Sequence, residues 1–190
     1  MLLLILGLVL FLGVHSTAII DNAWRERMIT RFGELPWKAG YGLLALAGLI
    51  LIVNGYGDAR ASPVPLYVPP VWMRHVALLL MLPVFPLLFA AYLPGRIQSA
   101  AKHPMLLAVK IWATAHLLAN GTLADVLLFG GFLAWAVADR ISLKRRPQPE
   151  VPGAPAGRYN DLIALGGGLV LYVLFILWLH RWLIGVSPIG

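Results

Sequence analysis

Six apolar stretches, at residues 2–20, 39–54, 73–93, 104–119, 122–138 and 162–184, take up most of this 190-residue chain. Crossing hydrocarbon takes about 20 apolar residues, within a range of about 17–25. Inside a bilayer the backbone must satisfy its own polar groups, which favours helices for stretches of this length. The second, fourth and fifth stretches lie near the short end, so those helices stand upright or the bilayer thins around them. Only 12% of the residues are charged and 60% are apolar, whereas a soluble domain carries roughly 25% charged residues. The expected fold is all-α: a polytopic membrane helical bundle of about six transmembrane helices, forming a single domain over residues 1–190.

The basic residues alternate with these stretches. The first loop carries Arg25, Arg27, Arg31 and Lys38, the third Arg96 and Lys102, and the fifth Arg140, Lys144, Arg145, Arg146 and Arg158. The opposite side has only Arg60, Arg74 and Arg181, and Lys110 falls within a stretch. The positive-inside rule then puts the odd loops in the cytoplasm and both termini outside, for a multi-pass protein. The net charge of +7 is explained by this placement, so no nucleic-acid partner is expected. Ser16-Thr17-Ala18 has the small-residue look of a signal-peptide cleavage site, but no basic region precedes the first stretch, which reads as a retained helix. Asn120-Gly121 predicts a tight turn joining the fourth and fifth stretches into a helical hairpin. Residues 145–157, rich in Pro and Gly, predict a flexible cytoplasmic linker. Trp72, Trp178 and Trp182, near stretch ends, read as interfacial anchors.

With no cysteine, disulfides, thiolate-bound zinc, iron–sulfur clusters and thiolate-ligated haem are excluded. That leaves histidine. His75 and His180 fall at the outer ends of the third and sixth stretches, each beside an arginine, and read as interfacial side chains. His103 precedes Pro104, which suits the first helical position; with Lys102 it either flanks a helix start or belongs to a site. His15 and His116 lie within stretches, where an ionisable group is a functional-site candidate by default. Each is either a metal ligand or a hydrogen-bond partner of a neighbouring helix. At 1.5 Å rise per residue, His15 lies about 8 Å from the cytoplasmic end of its stretch and His116 about 18 Å from that of its own. That offset suits a flat cofactor tilted between helices better than a compact ion site. Trp112 and Phe11 each precede a histidine by four residues and so stack on the same helical face. Lys110, on another face with His103, either snorkels to the interface or meets an anion such as a haem propionate or lipid phosphate. Gly7, Gly13, Gly40, Gly42, Gly48 and Gly166-Gly167-Gly168 would let helices or a flat cofactor approach closely.

Two segments together carry a resemblance. One is Gly7-Leu8-Val9-Leu10-Phe11-Leu12-Gly13-Val14-His15-Ser16. The other runs from Lys102-His103-Pro104 through Trp112-Ala113-Thr114-Ala115-His116 to Phe129-Gly130-Gly131-Phe132-Leu133-Ala134-Trp135 and Asp139-Arg140. Over nearly its whole length the chain resembles the NnrU family of bacterial membrane proteins. The resemblance implies a link to denitrification and nitric oxide metabolism, and kinship with the zeta-carotene isomerases, which are integral membrane haem b proteins. Carried over, their ligands imply haem b held by His15 and His116 as iron ligands. Phe11 and Trp112 would wall the pocket, and Lys110 and His103 are further candidates for contact with the cofactor. Some isomerases have a cysteine just after the matching tryptophan; here that position is Ala113, so a mechanism of thiolate exchange is not expected. His116, beside the Asn120-Gly121 turn, is the ligand expected to leave first.

The Lys102-His103-Pro104 element also resembles the Arg-His-Pro of membrane methyltransferases. Their acidic, tyrosine-containing tail is replaced here by Arg140-Ile141-Ser142-Leu143-Lys144-Arg145-Arg146, which disfavours that activity. Three functions remain as expectations: a bis-histidine haem b protein of nitric oxide metabolism, a haem-dependent cis-trans isomerase of a carotenoid or other polyene lipid, and a non-enzymatic accessory or assembly protein of a respiratory complex. The expected partners are membrane lipid, nitric oxide or a polyene lipid, and either a second copy of the chain or a respiratory-complex subunit.

Overall fold

The computed structural model describes residues 1–147 and 153–189. Helix accounts for 77% of the described residues. Among the described residues, three helical segments are long and apolar enough to cross a membrane: Glu34–Ala61, Val71–Ala90 and Asn160–Ile184. Their apolar side chains point outward: Leu43 is 68% exposed, Val53 63% and Leu177 62%. Surfaces this apolar are stable only where lipid or another apolar surface covers them, so the chain is a membrane-type helical protein. It folds as two compact units, each assembled from separated segments, one from residues 1–68 and 121–147 and the other from 69–120 and 148–190.

The first unit contains α1 (Leu2–His15), α2 (Thr17–Ile20), α3 (Asn22–Phe32), α4 (Glu34–Ala61) and, after the return of the chain, α9 (Leu123–Ser142). The first apolar stretch is broken rather than continuous to residue 20. Ser16 Oγ donates to Leu12 O at 2.7 Å and Thr17 Oγ1 to Val14 O at 3.0 Å, and such back-bonding bends helices. Asp21 caps α3 by accepting from Trp24 N at 2.8 Å. Gly33, at φ +89°, reverses the chain in a region open to glycine at no steric cost. The second apolar stretch then grows to 28 helical residues. Hydropathy alone missed its ends, where Glu34 pairs with Lys38 at 2.6 Å and where Asp58 and Arg60 lie in the last turns.

α1 and α4 pack antiparallel along a glycine seam. A Cβ at Gly48 would stand 2.8 Å from Phe11 N and one at Gly7 2.6 Å from Ile52 N, while one at Gly55 would overlap Leu4 N. This close approach recovers dispersion contact between helices that have no hydrophobic driving force in lipid. Gly13, Gly40 and Gly42 have nothing within 4 Å of such a Cβ among the described residues, so the close packing expected there is absent. α9 starts at a capping box: Thr122 Oγ1 accepts from Asp125 N at 3.3 Å, and Asp125 Oδ2 accepts from Thr122 N at 2.9 Å. The predicted tight turn at Asn120-Gly121 is not formed. Asn120 and Thr122 are extended, Gly121 O accepts from Leu66 N and Tyr67 N, and Leu123 N donates to Val64 O. Segment 64–67 competes successfully for the backbone groups that a hairpin turn would have used.

The second unit contains α5 (Val71–Met81), α6 (Val84–Ala90), α7 (Arg96–Ala101), α8 (Pro104–Ala119), α10 (Asn160–Leu174), a π-helical turn at Phe175–Leu179 and α11 (His180–Ile184). Val84, Leu87 and Ala108 form its core, with Met81, Ile111 and Trp112 packed against them. Pro83 breaks the third stretch between α5 and α6 because it has no N–H to donate. Leu82 N turns instead to Leu79 O at 3.3 Å, and the released carbonyl of Leu78 accepts from Tyr172 Oη at 2.9 Å. A Cβ at Gly168 would overlap Pro86, and one at Gly167 would lie 3.1 Å from the Phe89 ring, which fits the close packing expected of the triple glycine at two of its three positions. Asp161 accepts from Arg96 N and Ile97 N at 2.9 and 3.0 Å, capping α7.

Part of the predicted linker, residues 148–152, lies outside the described residues. The described parts are tied down: Arg146 pairs with Asp139 and Ala154 N donates to Tyr92 O at 2.8 Å.

Candidate functional site

His15 is the last residue of α1, at the break before Ser16. Its Nδ1 lies 2.7 Å from Phe11 O. A carbonyl oxygen can only accept, so Nδ1 carries the hydrogen and the lone pair of the neutral ring is on Nε2. The Phe11 ring stacks on the imidazole, with centroids 4.3 Å apart and planes 26° from parallel. Tyr41 of α4 meets it edge-on at 5.1 Å and Trp135 of α9 at 5.9 Å and 89°. Phe132, also on α9, packs against Phe11 at 5.6 Å. Three helices of the first unit thus enclose one half-buried imidazole in aromatic rings.

The Trp135 indole N–H is buried and has no acceptor among the described residues. A buried donor without a partner costs about 1–3 kcal/mol. It marks the His15 enclosure as a place where a bound group bearing an acceptor would be stabilised.

His116 repeats the local arrangement in the second unit. On α8 its Nδ1 lies 2.8 Å from Trp112 O, and the Trp112 ring sits 5.3 Å from the imidazole at 51°. Both histidines are therefore held by the carbonyl of the aromatic residue four positions earlier. A hydrogen bond from one ring nitrogen to a backbone carbonyl is the usual way to orient a ligating imidazole and raise its basicity. Ala113, at the position where some relatives carry cysteine, is fully buried and serves packing.

The other candidates are spread along α8. His103 occupies the N-cap of α8, with Pro104 first in the helix, about 20 Å along the axis from His116. Lys110 is half-buried; six residues before His116, it projects about 120° around the helix from it. Helix geometry puts both on other faces of α8 than the one carrying Trp112 and His116. His75 is exposed, and His180 Nδ1 lies 2.7 Å from Val186 O. The Asn120-Gly121 turn expected beside His116 is not formed: Asn120 Nδ2 donates to His116 O at 2.9 Å, and Gly121 is held by the 64–67 segment as described above.

Pattern reading did not find Tyr41, Phe132 and Trp135 as walls around His15. Nothing in spacing along one helix signals them, since they come from two others. It also missed the pair Tyr56–Asp125, in which Tyr56 Oη donates to Asp125 Oδ1 at 2.5 Å. Among the described residues no three His, Asp or Glu side chains converge as a multidentate metal site. His15 and His116 are each a single imidazole oriented through Nδ1, of the kind that could ligate a haem iron. Around His15, the aromatic walls and the buried Trp135 N–H, which has no acceptor among the described residues, could accommodate such a group.

A family model described as NnrU protein matches residues 3–188. No curated protein and no solved structure shows significant similarity to the chain.

Proposed function

The chain belongs to the NnrU family, and from that premise we propose that it is an integral membrane haem b protein with His15 and His116 as iron ligands, acting in nitric oxide metabolism at the bacterial inner membrane. The observation that carries the proposal is the duplicated arrangement in which each in-stretch histidine gives Nδ1–H to the carbonyl of the aromatic residue four positions before it. That bond fixes the tautomer that leaves Nε2 basic.

A bound haem would supply an iron suited to one-electron exchange, and His15 and His116 are the residues that would hold it. The chain's own residues do the rest. Phe11 and Trp112 restrict rotation of their histidines by stacking. Tyr41 and Trp135 exclude water around His15, lowering the local dielectric. Trp135 Nε1 offers a hydrogen bond to an acceptor on the bound group. The six-span arrangement with both termini in the periplasm belongs to the same proposal; the alternation of basic loops supports it.

The test is an absorption spectrum of protein purified after expression with ample haem supply. A Soret band that shifts on reduction is expected, and His15→Ala and His116→Ala should each lose most of the haem or change its spin state. A colourless wild-type protein would defeat the haem assignment. Unchanged spectra and full occupancy in both variants would defeat the ligand assignment alone.

A further inference from the structure

A pocket of about 320 Å³ opens in the first unit where α9 ends. Its lining is part apolar, from Ala18 and Ile19 of α2 with Ala138 and Ile141 of α9, and part polar, from Asn22, Ser142, Arg145 and Arg146. The two arginines come from the turn that follows α9. Lys144 N donates to Ile141 O at 3.1 Å and Arg145 N to Ser142 O at 2.8 Å, which folds the two arginines back over the helix end. Arg146 is locked there: one terminal nitrogen lies 2.6 Å from Asp139 Oδ1, and Nε donates to Ser142 Oγ at 3.0 Å. Both partners of that ion pair are 14% exposed. A guanidinium has five N–H donors, so these bonds leave the Nη1 edge unspent. Arg145 is exposed and has no partner among the described residues.

We propose that this pocket binds the headgroup of an anionic phospholipid. Its phosphate meets Arg145 and the unspent edge of Arg146, with the Asn22 side-chain amide as a further donor. The adjoining glycerol and first acyl carbons lie over Ala18, Ile19, Ala138 and Ile141. The charges match: Asp139 neutralises Arg146, so the pocket carries the single positive charge of Arg145, against the single negative charge of a phosphodiester. Arginine near a helix C-terminus is favourable by itself through the helix dipole, but that accounts for neither the apolar lining nor Arg145, which has no partner among the described residues. A free phosphate would use the polar lining and gain nothing from the apolar part, whereas a lipid uses both. Segments 21–38 and 140–146 of this unit hold eight of the fifteen Lys and Arg residues, which the proposed topology puts on the cytoplasmic side, where basic pockets recruit anionic headgroups.

The experiment measures thermal unfolding of the full chain in neutral detergent with added phosphatidylglycerol, phosphatidylcholine or inorganic phosphate, alongside native mass spectrometry of retained lipid. Phosphatidylglycerol should raise the midpoint of the wild type and be retained at one copy. Both effects should vanish in Arg145→Gln, and in Ala138→Trp, which puts bulk into the apolar lining and keeps every charge. Lys38→Gln, an equal loss of charge outside the pocket, should respond as the wild type does. An equal response to phosphatidylcholine, or an undiminished response in Arg145→Gln, overturns the proposal. An equal response to inorganic phosphate also overturns it, assigning the pocket to a free anion.

Discussion

Asp125 is 4% exposed in a chain with little charge, and its hydrogen bonds explain how it is accommodated. Its carboxylate accepts from Tyr56 Oη, Thr122 N and Thr122 Oγ1, so the buried charge is satisfied on both oxygens, as a buried carboxylate must be. Asp125→Ala removes the capping box of α9 and leaves the Tyr56 hydroxyl without its acceptor, so it should destabilise the protein by about 2–4 kcal/mol. Tyr56→Phe removes one donor and should cost about 1–2 kcal/mol. Unfolding of both variants in detergent, followed by circular dichroism, checks the order. Legibility differed at this scale for a physical reason. Phe11 with His15, and Trp112 with His116, could be paired from the sequence because residues four apart on a helix are neighbours. Tyr41, Trp135 and Tyr56 reach their partners across helix packing, which no local spacing encodes.

At the scale of elements, hydropathy located the apolar segments but misjudged their ends, because helices end where backbone partners change rather than where polarity rises. α4 runs past its apolar stretch in both directions, and α1 stops short at the Ser16–Thr17 back-bonds. The break at Pro83 is repaired from a distant helix by Tyr172. Glycine shows the same limit. Gly7 and Gly48 hold the α1–α4 seam, as the close approach expected of them requires, Gly55 holds it without having been singled out, and Gly13 does not hold it. Gly55→Ala sets a methyl against the α1 backbone at Leu4, where neither side is a flexible side chain that could give way. Such overpacking costs about 1–3 kcal/mol, and separating the helices would also loosen the His15 enclosure. Gly13→Ala meets nothing and gains helix propensity, so it should be neutral or stabilising by up to about 1 kcal/mol. Thermal unfolding of the two variants side by side distinguishes a seam glycine from an idle one.

For the whole molecule, the distribution of charge bears on how the chain sits in a membrane. Segments 21–38, 96–102 and 140–146 hold ten of the fifteen Lys and Arg residues, and all three flank helical segments rich in apolar surface. If the chain crosses six times, these segments share one side, and the attraction of basic loops to the cytoplasmic leaflet holds them there. The absence of cysteine makes this directly measurable, because any cysteine introduced is the sole thiol in the protein. Thr30 and Ser99 are exposed within the basic segments, Ser62 is exposed after α4, and Ser187 follows α11. In intact spheroplasts, a membrane-impermeant maleimide should label Ser62→Cys and Ser187→Cys and spare Thr30→Cys and Ser99→Cys until the membrane is permeabilised. Labelling of Ser99→Cys from outside would leave an odd number of crossings between residues 99 and 187 impossible, and would overturn the six-span arrangement while leaving the histidine chemistry of the two units untouched.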